Sequence, residues 1–405
     1  MVQLRPHQNT VLDAMQDNCK GQVIVPTGGG KTLCMIKDAQ KQFNGCNWDI
    51  LVKDCDRKTI VIVAPRILLA QQLCGDFVKY LARNPMLQYK ILHVHSGDTC
   101  YDSTTKSDGI KWWTEQNYRY NRLIFSTYHS LHRLQEADID VDTIYFDEAH
   151  NSVRSDFIGA TEYYSIYAKR SYFFTATPRH STTPMKVGMN DYDIYGDVIA
   201  QIPAPKLVED GYILPPKVLI KEIEVEDDSR HKHEHDCDHI INTIDDADVD
   251  KILICARKTQ QIVNIVEHTK FVDELTLRGY SWMYITSRTG AIINGKKVSR
   301  EKFFDVLNTW GEDPDKRFIV MHHSILSEGI NVRGLEAVFF LRNMDYVGIS
   351  QTIGRVIRKG DVDKKFGLVC VPVYDKVGIT TSRKVEAVVD TIFNKGEAAV
   401  SVVRK

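Results

Sequence analysis

The sequence predicts an α/β protein made of two tandem, doubly wound parallel-sheet domains. Three observations carry this. Short, continuously apolar runs such as Thr59–Ala64 recur along the chain, as expected of strands buried on both faces of a parallel sheet. Helix-length intervals separate them, which is the strand–helix–strand rhythm of an α/β fold. A cluster of prolines (Pro203, Pro205, Pro215, Pro216) interrupts the series, and a second series follows it. The domains are accordingly placed at residues 1–210 and 211–405.

In chain order, His7–Asn18 has helical spacing (Val11, Leu12, Met15), with Pro6 suited to a first helical turn. Val23–Val25 is a strand, followed by a glycine loop and a helix over Leu33–Phe43. Asn44–Lys58 is polar and mixed, and is read as a surface excursion. Thr59–Ala64 is a strand, Arg66–Leu81 a helix, Ile91–His95 a short strand and Thr99–Asp108 a loop. Leu123–Ser126, Thr143–Phe146 and Tyr172–Thr175 are further strands. In the second half, strands are expected at Lys217–Glu226, Lys251–Cys255, Trp282–Ile285, Arg317–Met321, Ala337–Leu341 and Leu368–Val373. Helices are expected at Thr259–Thr269, Glu301–Trp310 and Ile349–Ile357, and Asp227–Asp238 reads as an exposed charged loop.

Composition bounds the function. The 405 residues are 43% hydrophobic and 26% charged, ordinary for soluble domains with their own cores. Lys+Arg (52) and Asp+Glu (53) nearly cancel. There is no global basic field, so any nucleic-acid contact belongs to a local groove and is salt-sensitive. No apolar run approaches the ~18 residues of a membrane span. The opening Met1–Pro6 lacks a signal-peptide core. The nine cysteines are scattered, with no Cys-x-x-Cys pair, like reduced thiols of a cytoplasmic protein.

Pro26-Thr27-Gly28-Gly29-Gly30-Lys31-Thr32 is the chemically decisive stretch. Glycines let backbone N–H groups crowd around phosphate oxygens, and the helix start adds orphan N–H groups and a positive dipole end. Lys31 suits the β/γ-phosphates of ATP, and the Thr32 hydroxyl suits Mg²⁺. The strict pattern has glycine five residues before Gly30; here Val25 stands there. Asp147-Glu148-Ala149-His150 follows the apolar run Ile144–Phe146. Acids at a strand's carboxyl end lie where ligands bind in open α/β sheets. Asp147 is read as a Mg²⁺ ligand and Glu148 as the base for an attacking water.

With both motifs in hand, the chain resembles a superfamily-2 DEAH-box-type helicase or translocase, built from two RecA-like domains with the ATP site in the cleft between them. The resemblance spans nearly the whole chain. It is nearest the branch of XPB-like repair helicases, UvsW-like phage helicases and restriction-enzyme motor subunits, and the compact size leans toward a phage or bacterial member. It implies that Arg5 and Gln8 read adenine, that Thr27–Thr32 hold the phosphates, and that Asp147, Glu148 and His150 form the acidic box. Thr175-Ala176-Thr177-Pro178 matches the coupling motif. Ser324–Val332 resembles the fifth motif, placing Gly329 and Asn331 near the nucleotide. Gln351–Arg358 matches the sixth, with Gln351, Arg355 and Arg358 serving the γ-phosphate. Arg355 and Arg358, three apart, are expected on one helix face, and a guanidinium fork fits the charge spread over a transferring phosphoryl group.

The resemblance further implies nucleic-acid contacts at Arg66, Gln71 and Thr127 in the first domain and at Arg257, Lys258 and Arg288 in the second. Single cations and hydroxyls on loop tips suit phosphate contact without base reading. The implied activity is ATP-dependent movement along, or remodelling of, DNA in repair, recombination or replication. No domain of useful size is expected outside the two halves, which favours translocation over strong unwinding. Nothing in the residues reads a 2′-hydroxyl, so an RNA substrate stays open, as does a motor or scaffold role inside a larger complex. His231, His233, His235, Cys237 and His239 offer zinc-type ligands, but Glu234, Asp236 and Asp238 interleave them, and a solvated loop is the expectation.

Overall fold

A computed structural model describes residues 3–44, 57–222, 231–247, 249–286, 288–323, 334–359, 364–373 and 376–403. The chain divides into two compact units. One comprises Met1–Pro26, Gly30–Ile202 and Val400–Lys405; the other comprises Thr27–Gly29 and Pro203–Ala399.

The first unit holds helix α1 (Pro6–Asp17), strand β1 (Lys20–Ile24), α2 (Lys31–Asn44), β2 (Thr59–Ala64), α3 (Ile67–Leu81), β3 (Tyr89–Val94), β4 (Asp102–Ser103) and α4 (Ser107–Gln116). There follow β5 (Asn121–Thr127), α5 (Leu131–Glu136), β6 (Thr143–Phe146), α6 (Ser155–Tyr167), β7 (Arg170–Thr175), β8 (Arg179–His180), α7 (Tyr192–Tyr195) and β9 (Val198–Gln201). The sheet order is β4-β3-β5-β2-β6-β7-β1-β9, and every pairing is parallel. Its central strands are buried along their whole length, which is why their sequences are unbroken apolar runs. Part of the expected loop Thr99–Asp108 is ordered instead: it contains β4 and the start of α4. The Trp113 indole ties the two together by donating to Asp102 Oδ2 at 2.8 Å.

One buried polar cluster sets the position of α2. Asp38 on α2 receives both guanidinium ends of Arg170 on β7 at 2.9 Å, and the Tyr145 hydroxyl on β6 at 2.5 Å. The helix that leaves the glycine loop is thereby clamped to the two strands that end in the other motifs.

The second unit holds α8 (Ala204–Glu209), β10 (Pro216–Glu222), α9 (Lys232–Ala247), β11 (Lys251–Cys255), α10 (Thr259–His268), α11 (Phe271–Leu277), β12 (Ser281–Thr286), β13 (Gly290–Ile293) and β14 (Lys296–Val298). It continues through α12 (Arg300–Glu312), β15 (Phe318–His322), β16 (Ala337–Phe340), α13 (Tyr346–Val356), β17 (Gly367–Val373) and α14 (Lys376–Val389). Its sheet runs β10-β17-β16-β11-β15-β12-β13-β14. The first six strands are parallel, and the last two form an antiparallel hairpin appended to β12.

The expected loop Asp227–Asp238 is corrected within its described part, which is the first turns of α9. Two local causes explain the helix. The Glu234 carboxylate accepts from the His231 backbone N–H at 2.8 Å, half of a capping box. Cys237, Ile240, Ile241 and Ile244 recur at helical spacing and join the core.

Strand β18 (Ser401–Val402) pairs in parallel with β8 and so belongs to the first unit. Among the described residues no helix is long and apolar enough to cross a membrane.

Candidate active site

Strand β1 runs into the loop through Val25. The Val25 N–H donates to Thr175 O at 3.0 Å, and the side chain is buried. Val25 therefore continues the sheet, and the tight turn begins only at Thr27. Gly28 (φ +88°) and Gly30 (φ +87°) take left-handed conformations that side chains resist. A Cβ on Gly30 would strike the Gln8 side-chain amide. The structure thus brings Gln8 to the loop, while Gln8 Oε1 accepts from the Arg5 backbone N–H at 3.0 Å. Thr27 Oγ1 is buried and has no hydrogen-bond partner among the described residues. Lys31 and Thr32 open α2, where the helix N-terminus favours anions.

At the end of β6, Asp147 stays in register through its N–H to Val63 O at 2.8 Å. Glu148 then turns left-handed (φ +47°), a strained conformation for a side chain of its kind. That turn sets its carboxylate 4.0 Å from Lys31 Nζ and 3.5 Å from His150 Nδ1. Asp147 is buried, and burial first, then the adjacent Glu148 charge, raise its carboxyl well above the usual range, with Lys31 opposing. A bound cation would reverse that shift. The oxygen donors of Asp147 and Thr32 are the hard ligands that Mg²⁺ takes, so the residues present fit that ion.

His150 links the acidic box to the Thr175–Pro178 segment. Its Nδ1 lies 3.1 Å from Thr175 Oγ1, and that hydroxyl also accepts from the Thr177 N–H at 3.1 Å. Asn151 Nδ2 lies 3.2 Å from His150 Nε2 and donates to Glu148 O at 3.0 Å. With the amide donating to Nε2, the ring proton sits on Nδ1, facing Thr175. Sequence reasoning missed Asn151. The resemblance places Tyr128 with Ser126 and Thr127 on a strand-binding face; its side chain is buried instead, and its hydroxyl donates to Asp147 O at 3.0 Å.

In the second unit Gln351 and Arg355 lie buried on α13. Arg358 does not share their helix face, contrary to expectation. The helix ends at Val356, and Arg358 forms an antiparallel bridge with Ile213 while Leu214 N–H caps Ile357 O. Arg342, unmarked by any motif, stands after β16, and its charge and that of Arg355 both bear on Cys255 and His322. Burial, then these two arginines, push the His322 pKa far down. Gly329 and Asn331 lie outside the described residues.

Of the candidate nucleic-acid contacts, Arg66, Lys258 and Arg288 are exposed. Gln71 donates to Asp98 O at 2.6 Å. Thr127 is buried, its hydroxyl bonded to Ser130 Oγ at 3.3 Å. The Arg257 N–H donates to Gln261 Oε1 at 2.6 Å, at the start of α10. Among the described residues no group of three or more His, Cys, Asp or Glu side chains could hold a metal ion.

Two α/β units built on parallel sheets, the first opening on a phosphate-type glycine loop with an acidic box beside it, have the RecA-like fold. Residues 1–180 match the family model described as type III restriction enzyme, res subunit. No curated protein matches the sequence significantly. The chain is similar to the ATP-dependent Type ISP restriction-modification enzyme LlaBIII bound to DNA (19% identity, TM-score 0.71, 99% of this chain and 31% of that one). It is similar to a nuclease-deletion mutant of the Type ISP enzyme LlaGI in complex with a DNA substrate mimic (21%, 0.66, 98% and 30%). A third likeness is a fragment assigned as an HsdR subunit of a type I restriction enzyme from Vibrio vulnificus YJ016 (13%, 0.62, 98% and 67%). The chain spans less than a third of LlaBIII and of LlaGI. The family model thus covers the first 180 residues, and the solved structures share the fold of nearly the whole chain.

Proposed function

We propose that the chain is an ATP-driven DNA translocase of the kind that powers restriction enzymes. The observation that carries this reading is the meeting of Lys31 and Glu148 at 4.0 Å beside a glycine loop. One group to hold phosphate and one to take a proton stand within reach of one small volume. The restriction-type relatives and their DNA complexes favour this reading over a repair or recombination role.

In this mechanism Gln8 and Arg5 receive the base, and Thr27–Thr32 receive the phosphates. Thr32 and Asp147 would hold Mg²⁺, which when bound would neutralise charge on the transferring phosphoryl group and the departing diphosphate. Glu148 orients water and accepts its proton. Its left-handed backbone and the Asn151 bond at its carbonyl fix where that carboxylate stands. His150 passes any shift of Glu148 to Thr175 and Thr177. By the resemblance, Arg355 and Arg358 would supply positive charge to the γ-phosphate.

The test is turnover of ATP by the purified chain with single-stranded DNA, duplex DNA and RNA. DNA-stimulated hydrolysis is expected. Glu148→Gln is expected to lower it by about 10²–10⁴-fold, the usual range for a lost general base. Arg355→Ala and Arg358→Ala are expected to keep nucleotide binding and lose turnover. Stimulation by RNA alone, or unimpaired turnover in Glu148→Gln, would overturn the reading.

A further inference from the structure

The β13–β14 hairpin is an antiparallel addition to an otherwise parallel sheet. Its turn is rigid. Asn294 (φ +45°) and Gly295 (φ +78°) form the Asn-Gly pair that two-residue hairpins favour. Asn294 is further pinned to Trp282, accepting the Trp282 N–H on Oδ1 at 2.8 Å and donating its own N–H to Trp282 O at 2.9 Å. Strand β14 is the sheet edge, and its Lys296 and Lys297 are exposed.

Charge concentrates here in a chain that is otherwise nearly neutral. Between positions 288 and 302 stand five cations (Arg288, Lys296, Lys297, Arg300, Lys302) and one acid, Glu301. Among the described residues none of the five makes an ion pair; Arg300 rests on the Phe304 ring instead. Other cations of the same unit are paired: Arg278 with Asp245 and Glu274, Arg317 with Asp250, Lys221 with Asp246. The Lys297 stem runs back along the hairpin, its Cε 3.6 Å from where a Cβ on Gly290 would be, toward the turn that carries Arg288. Lys296 and Lys297 alternate to opposite faces of the edge.

We propose that this hairpin grips the DNA backbone: a rigid, doubly faced row of lysines that holds phosphates without reading bases. This rests on the DNA-motor reading above and assigns to it a contact that no motif marks. The Asn294 Oδ1 is held by the Trp282 N–H, and the lysine ammonium groups are point charges suited to phosphate, so the grip is expected to be independent of sequence. Lysines on an edge strand also block unwanted sheet pairing. Glutamates serve that purpose equally well, so charge reversal separates the two roles.

The experiment measures binding of labelled duplex and single-stranded DNA to the full chain between 50 and 200 mM salt. Wild type is compared with K296E/K297E and K296R/K297R. Each lost duplex phosphate contact removes about 0.9 from the slope of log affinity against log salt. The double glutamate variant is therefore expected to lose about 2 units of slope, equally across sequences, at an unchanged thermal midpoint. The arginine variant is expected to keep the wild-type slope. Should the double glutamate variant unfold, K296Q and K297Q are each expected to lose about 1 unit. Unchanged slopes in the glutamate or glutamine variants, or equal losses in the arginine variant, overturn the hairpin's role and leave the motor reading standing. Wild-type protein that binds no DNA overturns the motor reading and the hairpin's role with it.

Discussion

The Tyr128 phenol donates its proton to the carbonyl of Asp147, and the residue before it, Thr127, is a candidate DNA contact. A shift in the chain at Thr127 therefore reaches the acidic box through one hydrogen bond. Tyr128→Phe keeps the ring, which packs among Phe146 and Phe157, and removes only that bond. The expected result is a several-fold loss of DNA stimulation of ATP turnover with a stability cost of about 1 kcal/mol. Turnover assays with and without DNA, beside a urea titration, check both halves. Asp38→Ala tests a different kind of residue. It strands the Arg170 guanidinium in a largely buried site, and is expected to cost about 3–5 kcal/mol in unfolding free energy. At this scale the sequence singled out candidates by type and spacing: Lys31, Asp147, Glu148 and Arg355, the first three of which the structure brings close together. It concealed Asn151, Arg342 and the bond of Tyr128 to Asp147, because these arise from which strands lie side by side and from no local pattern.

Helix α9 gives a pH prediction. His239 is buried on its core face against Phe339, and burial, then the charge of Lys221, push its pKa down to about 4. The folded value lies below the unfolded value of ~6.5, so the unfolded chain takes up the proton first as pH falls. Stability is complete above about pH 6.5 and is lost as pH falls toward 4, by at most about 3 kcal/mol. His239→Phe is expected to flatten this dependence in denaturant titrations at pH 7 and 4.5; an unchanged slope with pH would refute the assignment. Elements buried on both faces were the readable ones. Thr143–Phe146 and Lys251–Cys255 are strands to the residue, because a strand covered on two sides is apolar along most of its length, here beyond the opening Thr143 and Lys251. Edge elements β4 and β9 are short, the first exposed and the second partly so, and carry no such run. The β13–β14 hairpin had a legible signal in Asn294-Gly295 that the apolar-run criterion passes over. The start of α9 was hidden by its composition: its polar face reads as a charged tract, and only the spacing of Cys237, Ile240, Ile241 and Ile244 reveals the helix.

For the whole molecule, nearly balanced charge means that association with DNA draws on local patches and not on a long-range field. DNA-stimulated turnover is expected to fall steeply between 50 and 200 mM salt while turnover without DNA changes little, checked in one assay series. The two-domain plan was legible from the doubled strand–helix series. The return of the chain to the first unit was not, because β18 is two residues long and its partner β8 equally short. That return is anchored by Ser401 N–H to Pro178 O at 3.0 Å and Val403 N–H to His180 O at 2.9 Å, immediately after Thr175–Pro178. The first unit is therefore discontinuous in sequence, and this bears on its birth. On a ribosome adding about 5–20 residues per second, its last strand emerges roughly 10–40 s after the rest of it, once the whole of Pro203–Ala399 has been made. Until then the segment following Thr175–Pro178 lacks its partner strand, and a nascent chain already holding every candidate site residue of its first unit is still structurally unfinished.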